Sequence, residues 1–221
     1  MTAVLIDFEM TCWSNRDRIE APCREIIQIG AVKLNDELEP SERFSLNVRP
    51  IFVNSISEKC MKITGLKWED LKDADQFESA LEKLSNWMGD KCRIFAWGPD
   101  DKSQFINECT VKNIDDEKLL PYKKWSDLQA IFKGLCGLKK RMSLSNALYI
   151  TGYDFEGKQH DAGDDAYNTA RLIKHIIIPE RRDKLRKSFG IDIEHNTGTT
   201  LGDLFGEKLL ELEIELELAQ K

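Results

Sequence analysis

Asp7 and Glu9 stand two residues apart at the end of an apolar run, Ala3-Val4-Leu5-Ile6-Asp7-Phe8-Glu9-Met10-Thr11. A run of Val, Leu and Ile reads as a buried strand, and residues two apart on a strand point to the same face. The two carboxylates therefore share one side of a sheet, where each raises the other's pKa unless positive charge lies between them. A divalent cation with oxygen ligands meets that need. A chance pair of acids at an exposed strand end would need none. Two later segments add groups of the same kind. Arg93-Ile94-Phe95-Ala96-Trp97 reads as a short buried strand that ends at Gly98-Pro99, and Asp100 and Asp101 then open a helix containing Phe105 and Ile106. That order places Asp101 at the C-terminal rim of a strand, where open α/β sheets bind ligands. Further on, His160 lies in a loop five residues before Asp165, in His160-Asp161-Ala162-Gly163-Asp164-Asp165. The helix macrodipole explains acids in a first turn, and an imidazole beside them suits proton transfer near neutral pH.

The elements that must position these groups follow from periodicity and turn chemistry. Ile26–Leu34 and Arg43–Val48 read as second and third strands, separated by the turn residues Asn35, Asp36 and Pro40, so residues 1–48 form an antiparallel meander. Apolar residues at 77, 81, 84 and 88 are spaced for a helix that Gly89 closes. Ser126–Leu135 and Ser143–Ile150 read as helices, the latter capped by Ser143, and Gly152–Gln159 as a loop. Asp164–Ile178 reads as a helix that Pro179 stops. A meander followed by alternating helices and strands predicts a mixed sheet flanked by helices.

Composition bounds the class. A chain of 221 residues, 41% apolar and 32% charged, can bury one enzyme-sized core. No apolar stretch approaches the roughly 18 residues of a membrane span, and no basic region precedes the first apolar run, so the expected location is the cytoplasm. The six cysteines (12, 23, 60, 92, 109 and 136) form no CxxC pair and read as reduced thiols. The net charge of −7 argues against simple electrostatic adhesion to nucleic acid, but it is unevenly spread. Residues 203–221 carry six acids against two bases, a net of −4, which leaves −3 for residues 1–202. Lys139-Lys140-Arg141 and the run Arg181 to Lys187 are basic; each reads as a solvated face or as a track for phosphates.

Taken together, Asp7-x-Glu9, Asp101 at a strand-to-helix turn and His160-x4-Asp165 resemble the three motifs of the DEDDh group of 3′-to-5′ exonucleases. Asp7-Phe8-Glu9-Met10-Thr11-Cys12-Trp13, Glu25-Ile26-Ile27-Gln28-Ile29-Gly30-Ala31, Lys62-Ile63-Thr64-Gly65-Leu66 and Ser143-Leu144-Ser145-Asn146-Ala147-Leu148 resemble its branch of enhanced-RNA-interference exonucleases and bacterial sporulation-inhibitor homologues. The resemblance spans residues 1 to about 178. It implies an RNase H-like fold and a hydrolase that releases 5′-mononucleotides from the 3′ end of a nucleic acid, single-stranded RNA being favoured over DNA. It also implies two divalent cations about 4 Å apart, which stabilise the attacking and leaving oxygens together. Magnesium is expected, with manganese as the alternative. Asp7 would bridge both ions, Glu9 and Asp165 would complete one site, Asp101 would serve the leaving-group ion, and His160 would be the general base. Met10 and Thr11 would cradle the terminal sugar, Ile63, Thr64, Gly65 and Leu66 would pack on the last base, and Trp13 and Trp97 offer stacking surfaces. Because Asp100 adjoins Asp101 and Asp164 adjoins Asp165, each of these assignments could shift by one.

Two other readings compete. Asp7-Phe8-Glu9-Met10-Thr11 also resembles the nucleophile motif of haloacid-dehalogenase-type phosphatases, in which Asp7 would be phosphorylated. The same fold could instead bind nucleic acid without cutting it. Residues 1–178 are expected to form the exonuclease domain. Residues 179–221 are expected to be a basic segment and an acidic extension that packs on the domain or on a partner. Within the extension, Leu210–Leu218 alternates Leu or Ile with Glu, a pattern open to a sheet edge, a homodimer contact or a marginal helix.

Overall fold

β1 (Thr2–Met10), β2 (Ile26–Leu34) and β3 (Pro40–Arg49) pair as an antiparallel meander, as the short turn between β2 and β3 requires. The computed structural model describes residues 2–13, 21–115 and 125–190. Three further strands complete a six-stranded sheet in the order β4-β3-β2-β1-β5-β6. β4 (Asp75–Gln76) runs parallel to β3, β5 (Cys92–Ala96) parallel to β1, and β6 (Trp125–Asp127) parallel to β5. This is the RNase H-like mixed sheet expected from the sequence.

The helices between the strands cover both faces. They are α1 (Glu58–Thr64), α2 (Trp68–Leu71), α3 (Phe77–Met88), α4 (Asp100–Lys112), α5 (Leu128–Leu135), α6 (Leu144–Thr151), α7 (Ala162–Ile177) and α8 (Pro179–Ser188). Alternation along β1 sends Val4, Ile6 and Phe8 to one side, where they pack with Leu81 and Leu84 of α3 and Phe105 of α4. Ala3 and Leu5 face the other side and join Phe132 of α5, Leu148 of α6 and Ala166, Ala170 and Ile173 of α7. Leu5 is fully buried, so Leu5→Ala should cost about 2–5 kcal/mol. Asp7 and Glu9 extend the Ala3–Leu5 row, so the face that is apolar at the start of β1 becomes acidic at its C-terminal end, beside α7.

Several boundaries differ from the sequence reading, each for a local reason. Ser126 and Asp127 belong to β6 and not to a helix: Ser126 pairs with Phe95, and Asp127 caps α5 through an Oδ1 that accepts from Ala130 N at 2.9 Å. Pro40 begins β3, opposite Leu34 across a register shift, and does not sit in the turn. Pro179 ends α7 and also opens α8, because a proline at the first helical position loses no hydrogen bond. The basic run from Arg181 therefore lies on a helix, and its Leu185 is buried in the same core as α7. The short elements α1, α2 and β4 were absent from the sequence reading; α1 is capped by Ser57 and closed by Gly65 in the left-handed region at φ 78°. The acidic extension and its alternating stretch fall outside the described residues. No helix among the described residues is long and apolar enough to cross a membrane.

Candidate active site

A cleft of about 780 Å³ opens at the C-terminal end of β1, and Asp7, Glu9, Asp101, His160 and Asp165 all line it. Three separate pieces of chain deliver them. β1 supplies Asp7 and Glu9, the first turn of α4 supplies Asp101, and the loop entering α7 supplies His160 with Asp165 in the first turn.

Asp101 is fixed by a gap in the sheet. β1 pairs with β5 only from Thr2 to Leu5, since β5 ends at Ala96 and the chain turns through Gly98 into α4. Beyond Leu5, no strand among the described residues pairs with β1 on that side. Phe8 N donates instead to Asp101 Oδ1 at 2.9 Å, so the carboxylate takes the place of the missing strand. Asp101 is buried whereas Asp100 is exposed, which separates the two neighbours.

Asp164 and Asp165 are separated in the same way. Asp164 Oδ2 accepts from Lys158 N at 2.8 Å and lies outside the cleft lining, whereas Asp165 lines the cleft and its Oδ2 accepts from His160 N at 2.9 Å. His160 is exposed and adopts a left-handed backbone at φ 62°. This conformation is unusual for a residue with a side chain, and the bond to Asp165 holds it. The imidazole Nδ1 lies 3.9 Å from Glu9 Oε1. Glu9, His160 and Asp165 each offer a ligand atom within 4.8 Å of the others, the arrangement that could hold a metal ion.

Electrostatics point the same way. Burial pushes Asp7 well above the usual carboxylate range, and Asp101, Asp165 and Glu9 push it further. Burial, then Asp165 and Asp101, raise Glu9 to about 8, with Lys158 opposing. Asp101 rises to about 7, chiefly through burial, although the Phe8 N–H stabilises its charge. Asp165 rises to about 6, again chiefly through burial and against the His160 N–H. Four hard carboxylates are thus crowded together in protein that leaves their repulsion standing. This donor set fits divalent cations, which would remove the repulsion and the protons together.

The other residues singled out in the sequence divide. Met10, Ile63, Thr64 and Trp97 line the cleft; Thr11, Trp13, Gly65 and Leu66 are not among its lining residues. Thr11 is buried, and its Oγ1 accepts from Glu25 N at 2.8 Å. Gly65 meets the Lys158 ammonium, which would lie 1.9 Å from a Cβ there. Trp97 belongs to both settings: its Nε1 donates to Met142 O at 3.1 Å, its ring meets Phe132 edge-on at 5.6 Å, and it still borders the cleft. Arg24, Gln104 and Asn107 also line the cleft and were missed. Gln104 had a readable signal, since it follows Asp101 by three residues on a helix and so shares its face; Arg24, in a loop, had none.

The exonuclease family RNase_T matches residues 4–173. The chain belongs to that family. Within this exonuclease family it falls in the DEDDh group and the branch that its motifs resemble. It is 30% identical over 184 residues to 3′-5′ exoribonuclease 1 of Rattus norvegicus, covering 78% of this chain and 52% of the relative. It is 28% identical over 209 residues to ERI1 exoribonuclease 2 of Xenopus laevis, covering 84% of this chain and 30% of the relative. This chain thus spans about half the length of these relatives or less. The nuclease domain of 3′hExo, a DEDDh family member bound to rAMP, superposes with a TM-score of 0.70 at 25% identity, covering 86% of this chain and 94% of that domain. The DEDDh exonucleases depend on divalent metal, and Glu9, His160 and Asp165 are a possible metal site in this chain. The phosphatase reading fails on family and on fold: its doubly wound sheet would flank the nucleophile strand with parallel neighbours, and here β2 is antiparallel to β1.

Proposed function

We propose that this exonuclease removes nucleotides from the 3′ end of RNA, one 5′-mononucleotide at a time. The convergence of Asp7, Glu9, Asp101, Asp165 and His160 on one cleft carries the reading. The names of the relatives, and the ribonucleotide bound by the similar nuclease domain, support RNA as the strand. Asp7, Glu9, Asp101 and Asp165 would hold two divalent cations, magnesium by the hardness of the oxygen donors, with manganese as substitute. These would neutralise charge on the attacking and leaving oxygens of an in-line displacement.

The chain's own groups do the rest. His160 takes a proton from the attacking water as the water oxygen bonds to phosphorus; the bond from phosphorus to the 3′ oxygen of the preceding nucleotide breaks, and that oxygen takes a proton from solvent, leaving a new 3′-hydroxyl and a freed 5′-mononucleotide. The imidazole is suited to this because it projects into solvent from a loop tied to Asp165, free to meet a strand end yet held beside Glu9. Ile63, in α1, offers a surface to the last base, and Trp97 offers part of its ring. Such contacts recognise an unpaired end without sequence preference.

The test uses labelled RNA and DNA strands of one sequence, each with a free or a blocked 3′ end, in Mg²⁺, Mn²⁺ or EDTA. A ladder shortening from the free 3′ end of RNA, faster than from DNA and absent in EDTA, is the expected result. Cleavage of the blocked strand would make the protein an endonuclease. Binding in EDTA with no turnover in Mg²⁺ would favour a noncatalytic nucleic-acid-binding protein.

A further inference from the structure

The three pieces of chain that build the site have to be held at a fixed spacing, and one of them arrives late in the sequence. The start of α7 lies on β2 as well as on β1. In the β1–β2 register, Glu9 stands opposite Gln28 and Asp7 opposite Gly30. Both β2 residues touch the start of α7. Gln28, buried, accepts from Ala162 N through Oε1 at 2.9 Å and donates from Nε2 to Asp161 Oδ2 at 3.2 Å. The same Asp161 caps α7, its Oδ1 accepting from Gly163 N and Asp164 N, both at 3.1 Å. At Gly30 a Cβ would fall 1.9 Å from Ala162 O, so only bare backbone admits the helix this close.

From this we infer that Gln28 is a positioning residue: its amide clamps the start of α7 on β2 and so sets the separation between His160 and Asp165 on one side and Asp7 and Glu9 on the other. The amide is matched to the task because one end must accept and the other donate. Ala162 offers an N–H and Asp161 a carboxylate, and no other short side chain of similar length answers both. Gln28 touches none of the reacting groups; it acts through Asp161 and Ala162. The inference rests on the proposed exonuclease activity and deepens it.

The hydrogen-bond polarity supplies a test that simple destabilisation would not mimic. Gln28→Glu keeps the acceptor for Ala162 N but sets a carboxylate against Asp161. Asp161→Asn keeps the cap on Gly163 and Asp164 but sets an amide donor against the Gln28 amide. Joined in one chain, the two changes restore the hydrogen bond between residues 28 and 161 with donor and acceptor exchanged, and the acceptor for Ala162 N is kept throughout. The chain and these variants, with Gln28→Ala and Asp7→Ala, would be assayed on 3′-end-labelled RNA in Mg²⁺, with melting temperature and exchange of the Ala162 amide proton measured on the same samples. Gln28→Ala and each single swap should lower kcat by about 10- to 100-fold with KM within about threefold, and speed Ala162 exchange. The double swap should recover at least about a third of the unaltered kcat and slow that exchange again. A double swap no better than the weaker single variant, or single variants that fold and keep the unaltered kcat, would overturn the inference. An unaltered chain as inactive as Asp7→Ala would overturn the exonuclease reading instead, and Ala162 exchange would still judge the clamp.

Discussion

One helix, α4, carries buried carboxylates at both ends, and the two ends differ in what neutralises them. At its C-terminal end, Glu108 and Glu25 are almost wholly buried, yet Lys112 Nζ lies 2.7 Å from Glu108 Oε1 and 2.9 Å from Glu25 Oε1. Backbone N–H groups of Ile26, Ile51 and Phe52 donate to the same carboxylates, and the Lys112 ammonium lies over the rings of Phe52 and Phe77 at 5.4 and 5.0 Å. At its N-terminal end, Asp101 joins Asp7, Glu9 and Asp165, and Lys158 opposes the rise of Glu9 without cancelling it. Both regions are acidic and buried, and burial raises Glu108 too, but in the first a buried ammonium is within hydrogen-bond distance of the carboxylates. On the function proposed above, the Lys112 cluster serves the structure and the Asp7 cluster holds cations.

The contrast can be broken from either side. Asp7→Ala should abolish RNA shortening, by at least about three orders of magnitude in kcat/KM, while the chain stays folded. A purified variant with unchanged turnover would remove Asp7 from the chemistry. His160→Ala should lower kcat by about 10²- to 10⁴-fold, the usual worth of a general base, with little change in KM for RNA. Lys112→Ala should do the reverse, unfolding the chain at lower urea by about 3–5 kcal/mol, because two buried carboxylates lose their shared cation. A stability close to that of the unaltered chain would mean the network is dispensable.

The smallest effect sharpens the comparison through pH. Glu9 is raised from 4.5 to about 8 in the folded chain, and Asp7, Asp101 and Asp165 are raised with it. Between those limits the folded chain binds more protons than the unfolded one, so stability falls as pH rises. In EDTA the melting temperature should therefore fall by a few degrees from about pH 5 to about pH 8, and Mg²⁺ should restore it at the upper end. Asp7→Asn should flatten that slope. A slope unchanged by Asp7→Asn would place its origin elsewhere.

Much of this was legible in the sequence because the informative residues obey short-range rules. β2 and α3 have the bounds their periodicity gives, and Ser143 caps α6 as its type predicts. The five site residues were readable because each follows a local transition: strand end, strand-to-helix turn, helix start. Asp165 is separated from Asp164 locally, by the five-residue step to His160 whose N–H it receives, whereas Asp101 is separated from Asp100 by a tertiary fact, where β5 leaves β1. The same limit hid β6, whose three residues are a strand only because β5 lies beside them. It also hid the contact of Thr11, whose Oγ1 accepts from Glu25 N. Lys112 carried no sign of its importance, since a lysine on a polar helix is ordinarily solvated.

The most direct test of the account is a calorimetric titration of Mn²⁺ into the metal-free chain near pH 7, repeated in buffers of different ionisation enthalpy to count protons released. If the Asp7 cluster is charge held for cations, two ions should bind, protons should leave as they do, and Asp7→Ala should lose both signals. Binding that releases no protons, or that survives Asp7→Ala unchanged, would contradict it.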